Sequence, residues 1–377
     1  MNDLSHFLAH HHFIDTQLPE TYVPEQWGHI LTEAYRSPTG WDEADLIIIG
    51  CGELRSGNPE ALYSDAPDAV REAFYAQFCW HPDVKIYDAG NILEGATPAD
   101  TRAALRLVLQ EVYAEGKQAL VLGGSHDLML EQYAVYQKAQ LTAKVVCADM
   151  RIDLDESEIA GPNNFLFELL TGHPNYVKHY SHLGFQSYAT SPQKLETLDK
   201  LRFDFFRLGW LRESIEEAEP ALRAADIFAF DLSCVRFGDA PANRGGSPNG
   251  FSGEEACMLA RFAGMAEHLG SFGIYEFRAE KDRAGMTAQL LAQMMWYFID
   301  GVSLRRTEAS LEQRAQFVEY PAVIAEEHAL FLKSRRTDRW WMQLPNGRFV
   351  PCSAADYRIA KAEGIPERWL REQERLA

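Results

Sequence analysis

The chain has 377 residues, enough to bury the core of one large α/β domain with an appendage. Its formal net charge of −19 at pH 7 argues against a nucleic-acid backbone or an anionic membrane surface as a partner, because both require clustered Lys and Arg. With 46% hydrophobic and 24% charged residues, the composition is that of a globular protein, which argues against extended disorder.

Cysteine spacing and the N-terminus indicate the compartment. The 6 cysteines are scattered without Cys-x-x-Cys spacing, which argues against a zinc site and against a disulfide framework. The N-terminus lacks the positive start and apolar run of a signal peptide, and no apolar stretch reaches the roughly 18 to 20 residues that span a bilayer. We therefore expect a cytoplasmic protein with no membrane partner, and the sequence leaves open whether it forms a homo-oligomer.

Short apolar runs alternate with amphipathic segments along most of the chain. This pattern predicts βαβ units and a largely parallel sheet with helices on both faces. The predicted strands, in chain order, are 45–50, 84–87, 119–122, 144–148, 179–184, 205–209, 227–231 and 271–275. Helices are predicted between them, for example over 98–115, 192–200, 253–263 and 287–298. Several of these helices begin after a Ser, Thr or Pro, as helix N-termini often do.

The alternation stops after Gly301. Residues 339–352 are typical of a β-hairpin whose turn is Pro345-Asn346-Gly347, and an amphipathic helix is predicted over about 354–373. We therefore divide the chain into an N-terminal segment at 1–40, an α/β domain at 41–301 and a C-terminal extension at 302–377. The pattern does not indicate what the extension does.

Polar residues follow three of the predicted strands. In an open parallel sheet, ligands bind beyond the carboxyl ends of the strands, so these residues mark the candidate site. The segments are Gly123-Gly124-Ser125-His126-Asp127, Asp149-Met150-Arg151-Ile152-Asp153 and Asp231-Leu232-Ser233. Taken singly, each is as typical of a turn or a helix cap as of a binding site.

In order and spacing, the three segments resemble the motifs of the arginase, agmatinase and formiminoglutamase (ureohydrolase) family. Its members carry Gly-Gly-Asp-His-Ser, then Asp-Ala-His-x-Asp, then Asp-x-Asp-x-x-Asp-Pro, and late in the chain a Glu that Glu276 matches here. Similarity also runs through 247–256 and Thr287-Ala288, so the resemblance covers about residues 40 to 300. It implies a three-layer α/β/α fold with an eight-stranded, mainly parallel sheet. It also implies a dinuclear manganese centre that activates water for attack on a guanidinium or formimino carbon.

The resemblance implies ligands for one manganese ion that are all present, namely His126, Asp149, Asp153 and Asp231. The other ion would need a His and an Asp at two positions that hold Arg151 and Ser233 instead.

Arg151 cannot be a metal ligand, because a guanidinium stays protonated and has no lone pair to donate. We therefore predict a degenerate site with zero or one metal, and Mn(II) is favoured if one ion binds to this mixed N/O set. In this hypothesis Arg151 replaces the second ion through forked hydrogen bonds to the carboxylates, and without metal His126 is protonated. An alternative stays open, in which the strand-end Asp and Arg residues form a buried ion-pair cluster that fixes sheet register.

The resemblance also implies substrate contacts. The stretch 157–170 corresponds to the family's substrate loop and contains Asn163 and Asn164 but no His. Glu276 matches the Glu that faces a substrate amidinium, so Asp149, Asp231 and Glu276 would be the catalytic residues. Glu276 could instead be an acid at a helix N-terminus.

Two functions follow from this comparison. The protein could be a pseudoenzyme with little or no dinuclear amidinohydrolase activity that binds a small amidine, an amino-acid-like ligand or a partner. It could instead be an active hydrolase of C–N bonds in linear amidines, similar to formimidoylglutamase, agmatinase or arginase, that uses one metal. The missing second-site ligands and the missing loop His favour the non-catalytic interpretation.

Overall fold

A computed structural model describes residues 4–9, 21–56, 58, 60–155 and 161–375. Within these ranges no helix is both long and apolar enough to cross a membrane. Residues 157–160 of the predicted substrate loop lie outside the described part.

The central sheet has eight parallel strands in the order β2-β1-β3-β8-β7-β4-β5-β6. The strands are β1 (Leu46–Cys51), β2 (Ile86–Asn91), β3 (Gln118–Gly123), β4 (Ala143–Ala148), β5 (Val177–Phe185), β6 (Asp204–Arg207), β7 (Ile227–Asp231) and β8 (Ser271–Tyr275). Strands such as β1 and β7 are buried along their whole length, as expected for parallel strands covered on both faces. The prediction of eight mainly parallel strands is confirmed.

Helices cover both faces of this sheet. They are α1 (Trp27–Arg36), α2 (Gly40–Glu43), α3 (Ala66–Tyr75), α4 (Pro98–Ala114), α5 (Met129–Ala139), α6 (Phe165–Thr171), α7 (Pro192–Lys200), α8 (Leu208–Glu213), α9 (Glu219–Arg223), α10 (Gly253–Gly264) and α11 (Met286–Arg306). Alternate residues of β1 enter different cores: Ile48 packs in the same cluster as α3, α10 and α11, whereas Ile47 packs in the cluster that contains α4 and α5. The result is the three-layer α/β/α arrangement that was predicted.

The C-terminal residues form a second, antiparallel sheet in the order β12-β11-β10-β9. Its strands are β9 (Phe317–Ile324), β10 (Glu327–Ser334), β11 (Trp340–Gln343) and β12 (Phe349–Cys352), followed by α12 (Ala354–Lys361) and α13 (Glu367–Glu374). The predicted hairpin is therefore present as β11 and β12, with Gly347 at a φ of 82° in its turn.

Two details of this extension were predicted wrongly. Strands β9 and β10 were missed, and the single helix predicted over 354–373 is two helices. The break has a backbone cause, because Glu363 adopts a φ of 61° and Pro366 immediately precedes α13.

The strand order brings the three polar segments together. Strands β3, β8, β7 and β4 are consecutive neighbours in the sheet. Because the strands are parallel, the residues that follow their carboxyl ends meet at one edge. The fold therefore places His126, Asp149, Asp231 and Glu276 beside one another.

Candidate metal site

The loop after β3 carries His126 into the protein interior. Its two glycines are required by close approach: a Cβ on Gly123 would lie 2.3 Å from the Tyr275 ring, and one on Gly124 would lie 2.2 Å from the carbonyl oxygen of Glu53. The His126 imidazole is fully buried and contacts the rings of Tyr275 and Phe165, with centroids 5.4 and 4.3 Å away. The ring is thereby held in one orientation.

Three carboxylates face the same imidazole nitrogen. His126 Nδ1 lies 3.2 Å from Asp231 Oδ2, 3.4 Å from Asp149 Oδ2 and 3.8 Å from Asp153 Oδ2. One potential ligand atom from each of these four buried residues lies within 4.8 Å of all the others. The structure thus brings together the whole ligand set predicted for one metal ion.

This donor set fits a divalent cation. Both ring nitrogens of His126 are buried and lack a hydrogen-bond partner, although a buried polar atom normally has one. Three carboxylates and one imidazole form a mostly hard set of ligands, which suits Mn(II) or Mg(II) better than zinc. A cation among these atoms would balance the carboxylate charge and use the free lone pair of the imidazole.

In the metal-free cluster the charges are shared among the ligands. Burial alone would disfavour the imidazolium, but the adjacent Asp149 and Asp231 carboxylates raise the pKa of His126 well above its ordinary value. Burial works against ionisation of Asp149, yet His126 outweighs it and lowers the pKa of that carboxyl to about 2. Burial and the neighbouring Asp149 raise the pKa of Asp153 well above its ordinary value.

Arg151 does not join this cluster through its side chain. The residue is exposed, and among the described residues no carboxylate makes an ion pair with its guanidinium. Only its backbone N–H donates to the cluster, to Asp149 Oδ1 at 3.0 Å. The predicted forked hydrogen bonds are therefore not made. Their prediction extended strand alternation past Ala148, where β4 ends. Arg151 lines a cavity beside the cluster instead.

Ser233 lies between two of the carboxylates. Its Oγ donates to Asp149 Oδ1 at 3.0 Å, and its backbone N–H donates to Asp231 Oδ1 at 2.6 Å. The position that would carry a second-metal carboxylate in the family thus supplies hydrogen-bond donors to the ligands of the first.

Glu276 is buried beside the cluster with a left-handed φ of 68°. Its Oε1 accepts a hydrogen bond from the backbone N–H of His126 at 3.1 Å, at the start of the short 3-10 helix His126–Leu128. Its Oε2 accepts one from Arg278 at 2.8 Å, and Arg244 lies 3.8 Å from Oε1. Burial and Asp231 raise the pKa of Glu276 to about 7, although both arginines oppose the shift.

A cavity of about 180 Å³ opens beside the cluster. Asn163, Arg244 and Glu276 line it together with three of the predicted metal ligands. Asn164, the other predicted substrate residue, is buried and accepts a hydrogen bond from the Gly161 N–H at 2.8 Å. A larger cavity of about 520 Å³ shares Pro162 and Arg244 with the first. Only Asn163 of the two asparagines therefore reaches the candidate substrate space.

Sequence reasoning missed three polar residues of the site. Arg244 lies in an irregular loop, and nothing in the local pattern points to it. Arg278 follows Glu276 by two residues, so a cation next to the predicted carboxylate could have been noticed. His182 is on β5, the neighbour of β4, where a His in a buried strand is itself a signal.

His182 holds the backbone at Asp149. Its Nδ1 accepts a hydrogen bond from Tyr180 Oη at 2.8 Å, and its Nε2 donates to the Asp149 carbonyl oxygen at 3.0 Å. Burial lowers the pKa of His182 to about 4, so the imidazole is neutral at pH 7.

Comparisons with known proteins agree with this geometry. The model of the arginase family matches residues 44–300. A formimidoylglutamase of Vibrio cholerae is 24% identical over 260 residues, which are 61% of this chain and 75% of that protein. A formimidoylglutamase of Hahella chejuensis is 24% identical over 187 residues, 46% of this chain and 55% of that protein.

The fold is also similar to solved structures. Trypanosoma cruzi formiminoglutamase, solved with Mn2+, superimposes with a TM-score of 0.65 at 18% identity and covers 73% of this chain and 98% of its own. Formimidoylglutamase from Bacillus subtilis gives a TM-score of 0.62 at 17% identity, over 69% and 88% of the two chains. The family match ends at residue 300, before the C-terminal antiparallel sheet begins.

Proposed function

The chain belongs to the arginase family, and from this premise we propose that it is a hydrolase of the C–N bond in a linear amidine of the formimino type, working with one divalent metal ion. The observation that carries the proposal is the buried cluster of His126, Asp149, Asp153 and Asp231, whose ligand atoms lie within 4.8 Å of one another. These four residues would hold the metal, for which Mn(II) is the best candidate. When bound, such an ion supplies Lewis-acid polarisation of the reacting groups.

The chain's own residues would prepare the site for this chemistry. Tyr275 and Phe165 fix the His126 ring, and His182 and Ser233 fix Asp149. Because His126 and Asp149 are held before metal binds, these two ligands need little reorganisation.

The cavity suits an amidine that also carries an anionic group. The Glu276 carboxylate lines the cavity and can accept hydrogen bonds from amidine N–H groups. Arg244 lines both neighbouring cavities and its side chain is 42% exposed, so it is available to bind a substrate carboxylate. The relatives named formimidoylglutamase support a formimino amino acid as the first substrate to test.

A second candidate is a family member that binds metal and ligand without turnover. It is favoured by Ser233, which supplies hydrogen-bond donors where a second metal ligand would be needed, and by Arg278, which already occupies one oxygen of Glu276. The sequence-based preference for this candidate depended on the missing second-site ligands and the missing loop His. Because the complete ligand set for one ion is assembled in a buried cluster, we place the active hydrolase first.

Metal stoichiometry tests the single-ion site directly. Titration of metal-free protein with Mn(II) in a calorimeter should give one ion per chain, and Asp149→Ala should abolish the binding. Asp155→Ala is the matched control, because Asp155 is exposed and pairs with Lys194 at 2.6 Å outside the cluster. Two ions per chain would overturn the single-metal account.

Turnover separates the two candidates. The Mn(II)-loaded protein would be incubated with formiminoglutamate, arginine, agmatine and guanidinobutyrate, and formamide, urea and ammonia would be measured. We expect formamide from formiminoglutamate, lost in Asp149→Ala and kept in Asp155→Ala. One bound metal with no product from any of the four compounds would support the non-catalytic candidate instead.

A further inference from the structure

Another large cavity lies at the amino ends of the central strands, whereas the metal cluster lies at their carboxyl ends. Its volume is about 730 Å³, and it lies between the amino ends of β4 and β5 and the C-terminal sheet. Lys144 and Lys178 line it from the central sheet, and Trp341, Arg348 and Phe349 line it from the C-terminal sheet. The cavity therefore exists only because the extension packs against the α/β domain.

Cations without ion-pair partners line this cavity. They are Lys144, Lys178, Arg305 and Arg348, and within the described ranges no carboxylate oxygen lies within 4.0 Å of their side-chain nitrogens. Such a group is unexpected in a chain of net charge −19, where carboxylates outnumber cations. Arg305 donates to the Ala266 carbonyl oxygen at 2.6 Å and to Gln118 Oε1 at 3.0 Å, so the charges most available to a ligand are those of Lys144, Lys178 and Arg348.

The carboxylates that also line the cavity either have hydrogen-bond partners of their own or are exposed. Asp226 accepts the backbone N–H of Lys144 at 2.8 Å, and Glu308 is bonded to Ser334 and Arg339 at 2.7 and 3.0 Å. Glu267 and Glu312 are exposed, where water screens them.

Arg223 adds a buried cation with unused donors. Its side chain is 1% exposed, and its Nη2 is bonded to the Trp340 carbonyl oxygen at 2.7 Å and to Glu219 at 3.0 Å. Its Nε and Nη1 have no hydrogen-bond partner. The guanidinium stacks on the Trp341 ring at 4.3 Å, but stacking uses its face and leaves the in-plane N–H groups without an acceptor. Buried donors of this kind normally have one.

The cations also repel one another. Burial lowers the pKa of Lys144, and Lys178 and Arg348 lower it further, against a partial offset from Glu372. Burial lowers the pKa of Arg223 as well, and the neighbouring Arg339 adds to the shift. A bound anion would relieve this repulsion.

We propose that this cavity binds a small organic anion that carries at least two negative charges as phosphate or carboxylate groups. The arginines would form forked hydrogen bonds to planar or tetrahedral oxyanions, and the lysines would contribute point charges at the rim. The site requires both the α/β domain and the extension.

The test is a calorimetric titration of the full chain at low ionic strength with two dianions, inorganic phosphate and succinate. We expect saturable binding of at least one of them at a Kd on the order of 1 mM or tighter, weakened by added salt. Which dianion binds more tightly distinguishes a phosphate from a carboxylate ligand. Binding should persist in Asp149→Ala, which separates it from the metal cluster.

Variants of exposed residues keep the test independent of folding. Arg348→Gln and Lys178→Gln should each weaken binding by about fivefold, because each removes one charge that faces the cavity. Lys361→Gln is the control: Lys361 is exposed on α12 and does not line the cavity, so its effect should stay within about twofold. If neither dianion binds saturably, or if the control weakens binding as much as the other variants, the proposal is wrong.

Discussion

Asp149 has two oxygens with different surroundings. Its Oδ2 faces His126 at 3.4 Å and is free to bind a metal ion. Its Oδ1 already accepts hydrogen bonds from Ser233 Oγ and from the Arg151 N–H, both at 3.0 Å. A carboxylate that bridges two ions through both of its oxygens must offer one oxygen to each, so these two donors favour a single ion.

Restoring the second ligand pair should therefore change the metal stoichiometry. In Arg151→His with Ser233→Asp, a donor to Asp149 is removed and an imidazole and a carboxylate are added. We expect the Mn(II) stoichiometry to rise from one to two per chain, measured by calorimetry and by electron paramagnetic resonance of the coupled pair. A double variant that still binds one ion would show that other features also block the second site.

His182 positions Asp149 without touching the metal site itself. In His182→Phe the Asp149 carbonyl oxygen loses its donor, so Mn(II) affinity should fall by about 10- to 100-fold. His179→Gln is the control on the same strand, since His179 bonds Asp204 at 2.9 Å, and it should leave Mn(II) affinity unchanged. Equal affinity in His182→Phe and the unmodified protein would rule out this positioning role.

Site residues at or just after the ends of strands could be predicted from the sequence, whereas site residues further along loops could not. His126 and Asp149 lie just beyond β3 and β4, and Asp231 is the last residue of β7, so strand order fixes their meeting point. Arg151 and Arg244 lie in irregular backbone, and their side-chain directions depend on tertiary contacts that no local pattern encodes.

Among the helices, α10 and α11 pack at glycines. A Cβ on Gly301 would lie 2.2 Å from the Arg261 carbonyl oxygen, and one on Gly264 would lie 2.1 Å from the Phe298 carbonyl oxygen. These neighbours are backbone atoms that cannot rotate away, so the close contact of the two helices requires glycine at both positions.

Gly301→Ala should therefore lower the free energy of unfolding by about 1–3 kcal/mol, because the helices must separate to admit the methyl group. Gly209→Ala is the matched control: a Cβ there meets nothing within 4 Å, and the position lies in α8. That change should be neutral or stabilising by up to about 1 kcal/mol. Urea denaturation of both variants measures the difference, and equal midpoints would contradict the packing argument.

The burial pattern of each strand explains whether it could be predicted from the sequence. Strands buried on both faces, such as β1 and β7, are nearly continuous apolar runs and are therefore readily recognised in the sequence. In β9, burial alternates with exposure and Pro321 interrupts the apolar pattern, which is tolerated because β9 is an edge strand. Its propensity signal was therefore weak, and β10 was missed together with its partner.

For the molecule as a whole, the last helix of the described residues, α13, is tied to the central sheet by charge. Asp204 on edge strand β6 lies 2.8 Å from Arg375 and 3.5 Å from Arg371, and it also bonds His179. This carboxylate therefore links α13 and the residue that follows it to the α/β domain.

Asp204→Asn should loosen that attachment in a pH-dependent way. Burial opposes ionisation, but His179 and Arg375 outweigh it and hold the pKa of Asp204 well below its ordinary value. A depressed carboxyl pKa stabilises the fold in full above the unfolded-state pKa of about 4. This contribution declines as the pH falls below that value and is lost only as the pH falls through the lower pKa of the folded state.

We expect Asp204→Asn to cost about 2 kcal/mol at pH 7, because the ion pair is mostly but not fully buried, and to cost progressively less below about pH 4. Asp199→Asn, an exposed partner of Arg371, should cost less than about 0.5 kcal/mol. Urea denaturation at pH 7 and at a pH below about 4 gives the free energy of unfolding of each variant. Limited proteolysis should cleave α13 from the Asp204→Asn variant faster than from the Asp199→Asn variant or the unmodified protein. A cost that stays constant with pH would contradict this ionic contribution, since asparagine differs from aspartate mainly in charge.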